Sequence, residues 1–509
     1  MEAYVPSHAA IALAASIITL GLVIIRMVQR RMRLKAFAKL HGCYEPVYEE
    51  SKFPINISKA REMAHHYQTR DLLSHFLALF HKLGDTYISR VLWLDIIVTC
   101  DPENTKQVLQ RRFTDFDIGP LRSHLFSPIT PHGIFNFDGG KWKHVRQIYR
   151  AQFSDTRFVV NLDVIEQCFQ LLLRQIPKDG APVDIQRLLI ALVTDILGTY
   201  AVGEPLGALS NGQGAENKEV EEAYRFVKDR IARFGQSGPA SWLYDRSEFR
   251  KASTLIQNYT ERFVRQAMEK HHQYSKADGP EYQSATTFVE KAATDGYTFA
   301  EVRDQAISIY LAGIDSVSGL LSATCWYLSR DPRVFHLLQA SIIEKFGHDA
   351  PPYEELTSVV YLRHVFNEAL RLKPSVPFNA KVANKDTWLP RGGGPDGQSG
   401  LLVRKNQIVS FWPWATHRKS EIFGDNPEAF RPERWETIRA DVPGFVPFQP
   451  GPRVCPGQRV ALAMASYIII RILQNCSSME SRDTMPWTES LGLSLASKHG
   501  VIVAILREK

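Results

Sequence analysis

One decapeptide constrains this chain more than any other stretch: Phe448-Gln-Pro-Gly-Pro-Arg-Val-Cys-Pro-Gly457, followed at once by the apolar run ALAMASYIIIRIL. A cysteine met alone is most simply a small buried hydrophobe. Here Cys455 stands where a glycine-punctuated loop enters a long apolar helix, and the five spaced residues Phe448, Gly451, Arg453, Cys455 and Gly457 set it apart from an ordinary core position. At such a junction backbone N–H groups and the positive helix end can point at the sulfur, which is what a thiolate needs.

The chain has 509 residues, long enough for about three domains at ~150 residues each. With 44% hydrophobic and 11% aromatic residues it can bury a large core, which excludes global disorder. The formal charge is +7, but apart from one cluster after residue 25 the basic residues are scattered, so no nucleic-acid-binding stripe is read. Six cysteines without a Cys-x-x-Cys pair make neither a disulfide scaffold nor a zinc site, and suit a reducing compartment.

From Ala3 to Ile25 no Lys, Arg, Asp or Glu occurs, and Arg26, Arg30, Arg31, Arg33, Lys35 and Lys39 follow. A helix of that run spans ~35 Å, enough for a ~30 Å hydrocarbon core. The basic flank on its C-terminal side leaves everything after residue 26 in the cytosol. A cleaved signal peptide is the rival, but it would want basic residues before the run, where only Glu2 is charged. With a cytosolic body, the sequons at Asn56, Asn258 and Asn475 stay unmodified. The expected organisation is a membrane anchor over 1–25, a basic and proline-punctuated linker over 26–60, and one catalytic body over 61–509.

The periodicity of the body is mostly helical. Val302, Ala306, Ile309, Gly313, Ser316/Val317 and Leu320 share a face across Ala300–Ser329, and Asp331-Pro332 then stops the helix. A second helix is expected from about Ser358 to Leu372, and a third after Gly457. Short strand-like runs occupy 87–99, 401–411 and 500–506, and Arg391–Gly400 reads as a broad turn. No Gly-Lys-Ser/Thr follows its glycines, which argues against a phosphate cradle.

The cysteine segment resembles the haem-binding loop of cytochrome P-450 monooxygenases, and other motifs extend the resemblance over residues 40–509. It implies that Cys455 is the proximal iron ligand in a haem b (iron-protoporphyrin IX), its sulfur pushing electron density onto the metal. Gly451 and Gly457 would then allow backbone to approach the flat macrocycle. Arg453 would face a propionate. Trp142-Lys-His-Val-Arg146 matches the family's W-x-x-x-R helix, whose indole and guanidinium hold propionates. Lys381 falls where many relatives place a further propionate-binding arginine. Glu368-Ala-Leu-Arg371 would alone be a solvated i, i+3 pair. The family joins such a pair to an arginine from a P-E-R-F-like segment, here Arg434 in Arg431-Pro-Glu-Arg-Trp435, with Trp435 for the usual Phe. Ala312-Gly-Ile-Asp315-Ser316 resembles the oxygen-activation motif A-G-x-D/E-T. Its two small residues would let the helix pass close over iron, and Asp315 with Ser316 would relay protons. Ser316 lacks the methyl that limits χ1 in threonine.

The implied architecture is mainly α with small β-sheets: a cytochrome P-450 fold, a single large catalytic domain behind an N-terminal transmembrane helix. The implied activity is insertion of one oxygen atom of O2 into a C–H bond, with electrons from NADPH through cytochrome P-450 reductase. The implied setting is a monomer in the endoplasmic reticulum membrane, single-pass, with its catalytic domain cytosolic and no nucleic-acid partner. Lys141, Lys143 and Arg150 could belong to the reductase surface or simply form a solvated helix face. His41-Gly-Cys43, Gly133–Gly139, Pro374–Pro377, Leu389–Gly397 and Phe430–Trp435 resemble the fungal alkane and fatty-acid hydroxylase branch in particular. That likeness implies a lipophilic, long alkyl-chain substrate; Ser316, Lys381, Pro450 and Val460 depart from the branch. Two alternatives stand beside it: a haem-thiolate isomerase or dehydratase working without O2, and a non-catalytic membrane protein.

Overall fold

The computed structural model describes residues 8–49, 56–210, 214–236, 238, 241, 244–274 and 287–507. The first seven residues of the expected anchor and residues 50–55 of the expected linker lie outside them. Helix α1 (His8–Leu40) is 33 residues long and runs from the apolar segment straight through the basic one. The first part of the expected linker is therefore helical. Beyond it the chain is stitched to the body by isolated bridges, Cys43 to Gly400, Pro46 to Gly393 and Tyr48 to Ile88. From Ile17 to Ile25 the large apolar side chains of α1 are exposed.

Two short helices follow, α2 (Ile57–Thr69) and α3 (Leu72–Leu83), then strands β1 (Thr86–Val91) and β2 (Leu94–Thr99). The run 87–99 is thus a hairpin, turning at Leu92 with φ 55. Strand β3 (Phe116–Asp117) precedes helices α4 (Pro120–Phe126), α5 (Gly139–Ser154), α6 (Ile185–Val202), α7 (Ala215–Gln236) and α8 (Phe299–Leu328). Helix α9 (Val360–Leu372) leads into strands β4 (Asn379–Ala383), β5 (Thr387–Gly393), β6 (Ser399–Val403) and β7 (Ile408–Phe411), and α10 (Gln458–Gln474) follows the cysteine loop. The main sheet has the order β1-β2-β7-β4-β3, with β2 and β7 parallel and the other pairs antiparallel. Segment 391–400 is not a broad turn: β5 and β6 pair across it as far as Gly393 and Ser399, leaving only a hairpin tip.

The core is built around α8, which packs along α6. Both helices are long and apolar enough to cross a membrane, but 78% of α6 and 72% of the most apolar stretch of α8 are buried in protein, so they are core helices. Thr298 and Glu301 close a capping box on α8. Asp331-Pro332 does more than stop α8, because the Asp331 side chain accepts from Val334 N–H at 3.1 Å and caps the next helix. In the middle of α8 the burial lapses: Ala312 is exposed and Gly313 partly so, although both lie deep in the chain's longest core helix.

Candidate active site

Cys455 sits in the loop that leads into α10, a helix packed against α8. The loop is closed by Cys455 N–H donating to Phe448 O at 3.0 Å and Val454 N–H to Gly451 O at 3.0 Å. Gly451 has φ 104, and a Cβ there would strike the carbonyl of Leu109, so only glycine lets the loop lie against the 107–111 turn. Gly457 caps α10 and presents its N–H to the sulfur. Burial pushes the Cys455 thiol above its ordinary value, while Gly457 N–H and the Arg146 guanidinium pull it down. The side chain is nonetheless accessible, so its open face looks into the interior.

A belt of cations lies beside it. Arg453 donates to Phe137 O at 2.8 Å and to Asp138 Oδ1 at 2.5 Å, with its guanidinium 4.5 Å over the Trp142 ring. Its Nε is buried with no hydrogen-bond partner among the described residues. Arg122, from α4, donates to the Asn379 side chain of β4. Lys381 lies two residues further along β4 and is buried. Burial, with Arg122 and Arg453 beside it, lowers Lys381 to about 7, and burial with Arg453 lowers Arg122 to about 10. Arg146 is half-buried and is also held down mainly by burial. Four cations against Asp117 and Asp138 make a pocket in want of anions, and the orphaned Arg453 Nε points the same way. A flat dianionic macrocycle with one thiolate ligand fits this set of residues.

The fold therefore brings Trp142, Arg146, Lys381, Arg453 and Cys455 into one neighbourhood. Arg122, Asn379 and Asp138 were not anticipated; a lone arginine in the apolar 116–135 stretch was the available signal for the first. The oxygen-side pair differs in detail. Asp315 is tied to Lys228 of α7 at 2.5 Å, and Ser316 Oγ donates back to Ala312 O at 2.7 Å. A Cβ on Gly313 would meet Leu197 of α6, so its smallness serves helix packing, and Ala312 alone presents a small side chain to the interior. Lys141, Lys143 and Arg150 are exposed on α5.

Behind the loop, Glu368, Arg371 and Arg434 form the expected triad, buried rather than solvated. Arg371 grips Glu368 with two bonds of 2.9 and 2.8 Å, and Arg434 adds one of 2.9 Å. Trp435 has its own reason: its indole N–H donates to Glu368 Oε2 at 2.9 Å.

A sequence profile described as Cytochrome P450 matches residues 61–503. The chain belongs to the cytochrome P450 family. It is 33% identical over 507 residues to the cytochrome P450 monooxygenase fsdH of Fusarium heterosporum, covering 97% of this chain and 88% of that one. It is 37% identical to the cytochrome P450 monooxygenase himC of Aspergillus japonicus, over 84% and 77% of the two chains. To cytochrome P450 52A13 of Debaryomyces hansenii it is 34% identical, over 82% and 83%. This P450 is accordingly a monooxygenase whose cofactor is a cysteine-ligated haem, reduced by NADPH through a reductase.

Proposed function

We propose that Cys455 is the thiolate ligand of the haem and that the enzyme hydroxylates a C–H bond of a long alkyl-chain substrate. The observation that carries the ligand assignment is the sulfur itself: enclosed by protein, accessible from the interior, and met by Gly457 N–H. Arg122, Arg146, Lys381 and Arg453, with Trp142, would hold the propionates. When bound, the haem supplies the O2 activation that puts one oxygen atom into substrate and releases the other as water. Ser316 Oγ hands on protons, and Asp315, steadied by Lys228, refills it. The substrate chain lies against apolar residues of the 116–135 segment, Ile309 and Val376–Phe378. Likeness to the yeast 52-series P450s favours an alkane, a fatty acid or an aliphatic polyketide as that substrate. α1 anchors the enzyme in the endoplasmic reticulum membrane, with the body in the cytosol and a single catalytic domain after residue 60.

Cys455→Ala is expected to abolish the reduced, carbon monoxide-bound band of thiolate haem; retention of that band would overturn the assignment. Membranes given reductase, NADPH and a panel of alkyl-chain substrates are expected to yield products heavier by one oxygen atom. Turnover without NADPH, with no gain of oxygen, would instead mark an isomerase or dehydratase.

A further inference from the structure

Helices α2 and α3 are joined by Arg70 and Asp71 alone, with Arg70 in the left-handed region at φ 64, so the chain turns sharply between them. Glu62 and His66, four apart, share a face of α2. His75 comes from the first turn of α3. One ligand atom from each of the three lies within 4.8 Å of the others.

The surroundings prepare both imidazoles as ligands. His66 Nδ1 is 3.0 Å from Asp71 Oδ1; with Nδ1–H donating to that carboxylate, Nε2 carries the free lone pair. His75 Nε2 is buried and lies 3.1 Å from Glu62 Oε1, yet it is not aligned in a hydrogen bond. The two rings face each other with centroids 3.9 Å apart. Glu49, Glu62 and Asp71 surround them, and Lys59 is the one cation paired into this group among the described residues, 2.5 Å from Glu49 and 3.0 Å from Glu62. Three carboxylates against one ammonium leave two negative charges uncompensated.

We propose that Glu62, His66 and His75 bind a divalent cation of zinc-type chemistry, with water as the fourth ligand. Two imidazoles and a carboxylate form a donor set that suits zinc and disfavours calcium or magnesium, which require oxygen cages. Bonds of ~2.0–2.2 Å require the donors to close inward by about 1 Å, with the rings turning out of their stack. Partial exposure, 22% for His66, 16% for His75 and 42% for Glu62, leaves them free to do so and gives the ion access. Asp71 then stands behind His66 as the carboxylate that orients a metal-bound imidazole. The ion ties α2 to α3, far along the sequence from the cysteine loop.

The test uses the untagged, haem-loaded full chain, stripped with chelator and titrated with zinc chloride by calorimetry. One ion per chain is expected, with a rise in melting temperature on adding zinc. The double variant His66→Ala/His75→Ala is expected to bind at least about tenfold more weakly and to lose that rise. Glu62→Gln, which keeps both rings, is expected to weaken binding as well. An unchanged carbon monoxide spectrum in each variant shows that the body is folded. Equal zinc affinity in wild type and double variant, or no zinc retained by wild type, would overturn the site.

Discussion

At the scale of the residue, Glu368 shows how much one side chain can organise. Its two oxygens receive Arg371, Arg434, the Trp435 indole and the Arg431 backbone N–H, all inside the protein. Removing a buried ionic partner strands the charges it balanced, so Glu368→Ala is expected to cost ~3–5 kcal/mol in denaturant unfolding, with loss of haem. Trp435→Phe removes one donor and is expected to cost only ~1 kcal/mol. Equal losses from the two changes would refute this division of labour. Ser316 invites a different experiment. Its hydroxyl folds back on Ala312 O, and threonine would make the same bond with χ1 restricted by the extra methyl. Ser316→Thr is expected to lower the peroxide released per NADPH severalfold; an unchanged ratio would detach the hydroxyl from proton delivery. The triad was legible only through the family resemblance, because the i, i+3 pair on α9 taken alone reads as solvated and Arg434 joins it from a distant segment. Arg122, Asn379, Asp138 and Lys228 were not, since each comes from a separate segment and means nothing until folding brings it to its partner. Nor could sequence say that Gly313 is small for Leu197, a contact between two distant helices.

Between elements, His417 joins the end of α9 to the approach of the cysteine loop. Its ring stands between Arg371 O, 3.2 Å from Nδ1, and the Val446 N–H, which donates to Nε2 at 3.1 Å. Only the neutral ring with the proton on Nδ1 satisfies both. Burial, then Arg371, lowers its pKa to about 3, against ~6.5 when unfolded. Below pH ~6.5 the unfolded chain takes up a proton that the folded chain refuses. Stability is thus whole above that pH and falls as pH drops toward 3. His417→Ala is expected to be ~1–3 kcal/mol less stable at neutral pH, through the unpaired Val446 N–H, but to lose less on acidification. Parallel stability profiles between pH 6.5 and pH 4 would rule this out. The long helices themselves were readable from periodicity: α8 occupies Phe299–Leu328 where Ala300–Ser329 was expected. The glycines of 391–400 suggest a loop, while the pairing of β5 with β6 depends on strands either side of it and is not visible in local sequence.

For the whole molecule, removal of residues 1–40 is expected to shift the enzyme from the membrane pellet to the supernatant while leaving its carbon monoxide spectrum intact. Persistence of all the protein in the pellet would deny α1 the role of sole anchor. The helix reaches about 50 Å at ~1.5 Å per residue, some 20 Å more than a ~30 Å hydrocarbon layer needs. The surplus is a rigid stem, and the chain beyond it is clipped to Gly400, Gly393 and Ile88 rather than hanging slack. With α1 set in the bilayer as proposed, the body would not tumble about its tether like a balloon on a string. It would lean only as far as its mast can tilt, and would keep the same flank toward the lipid.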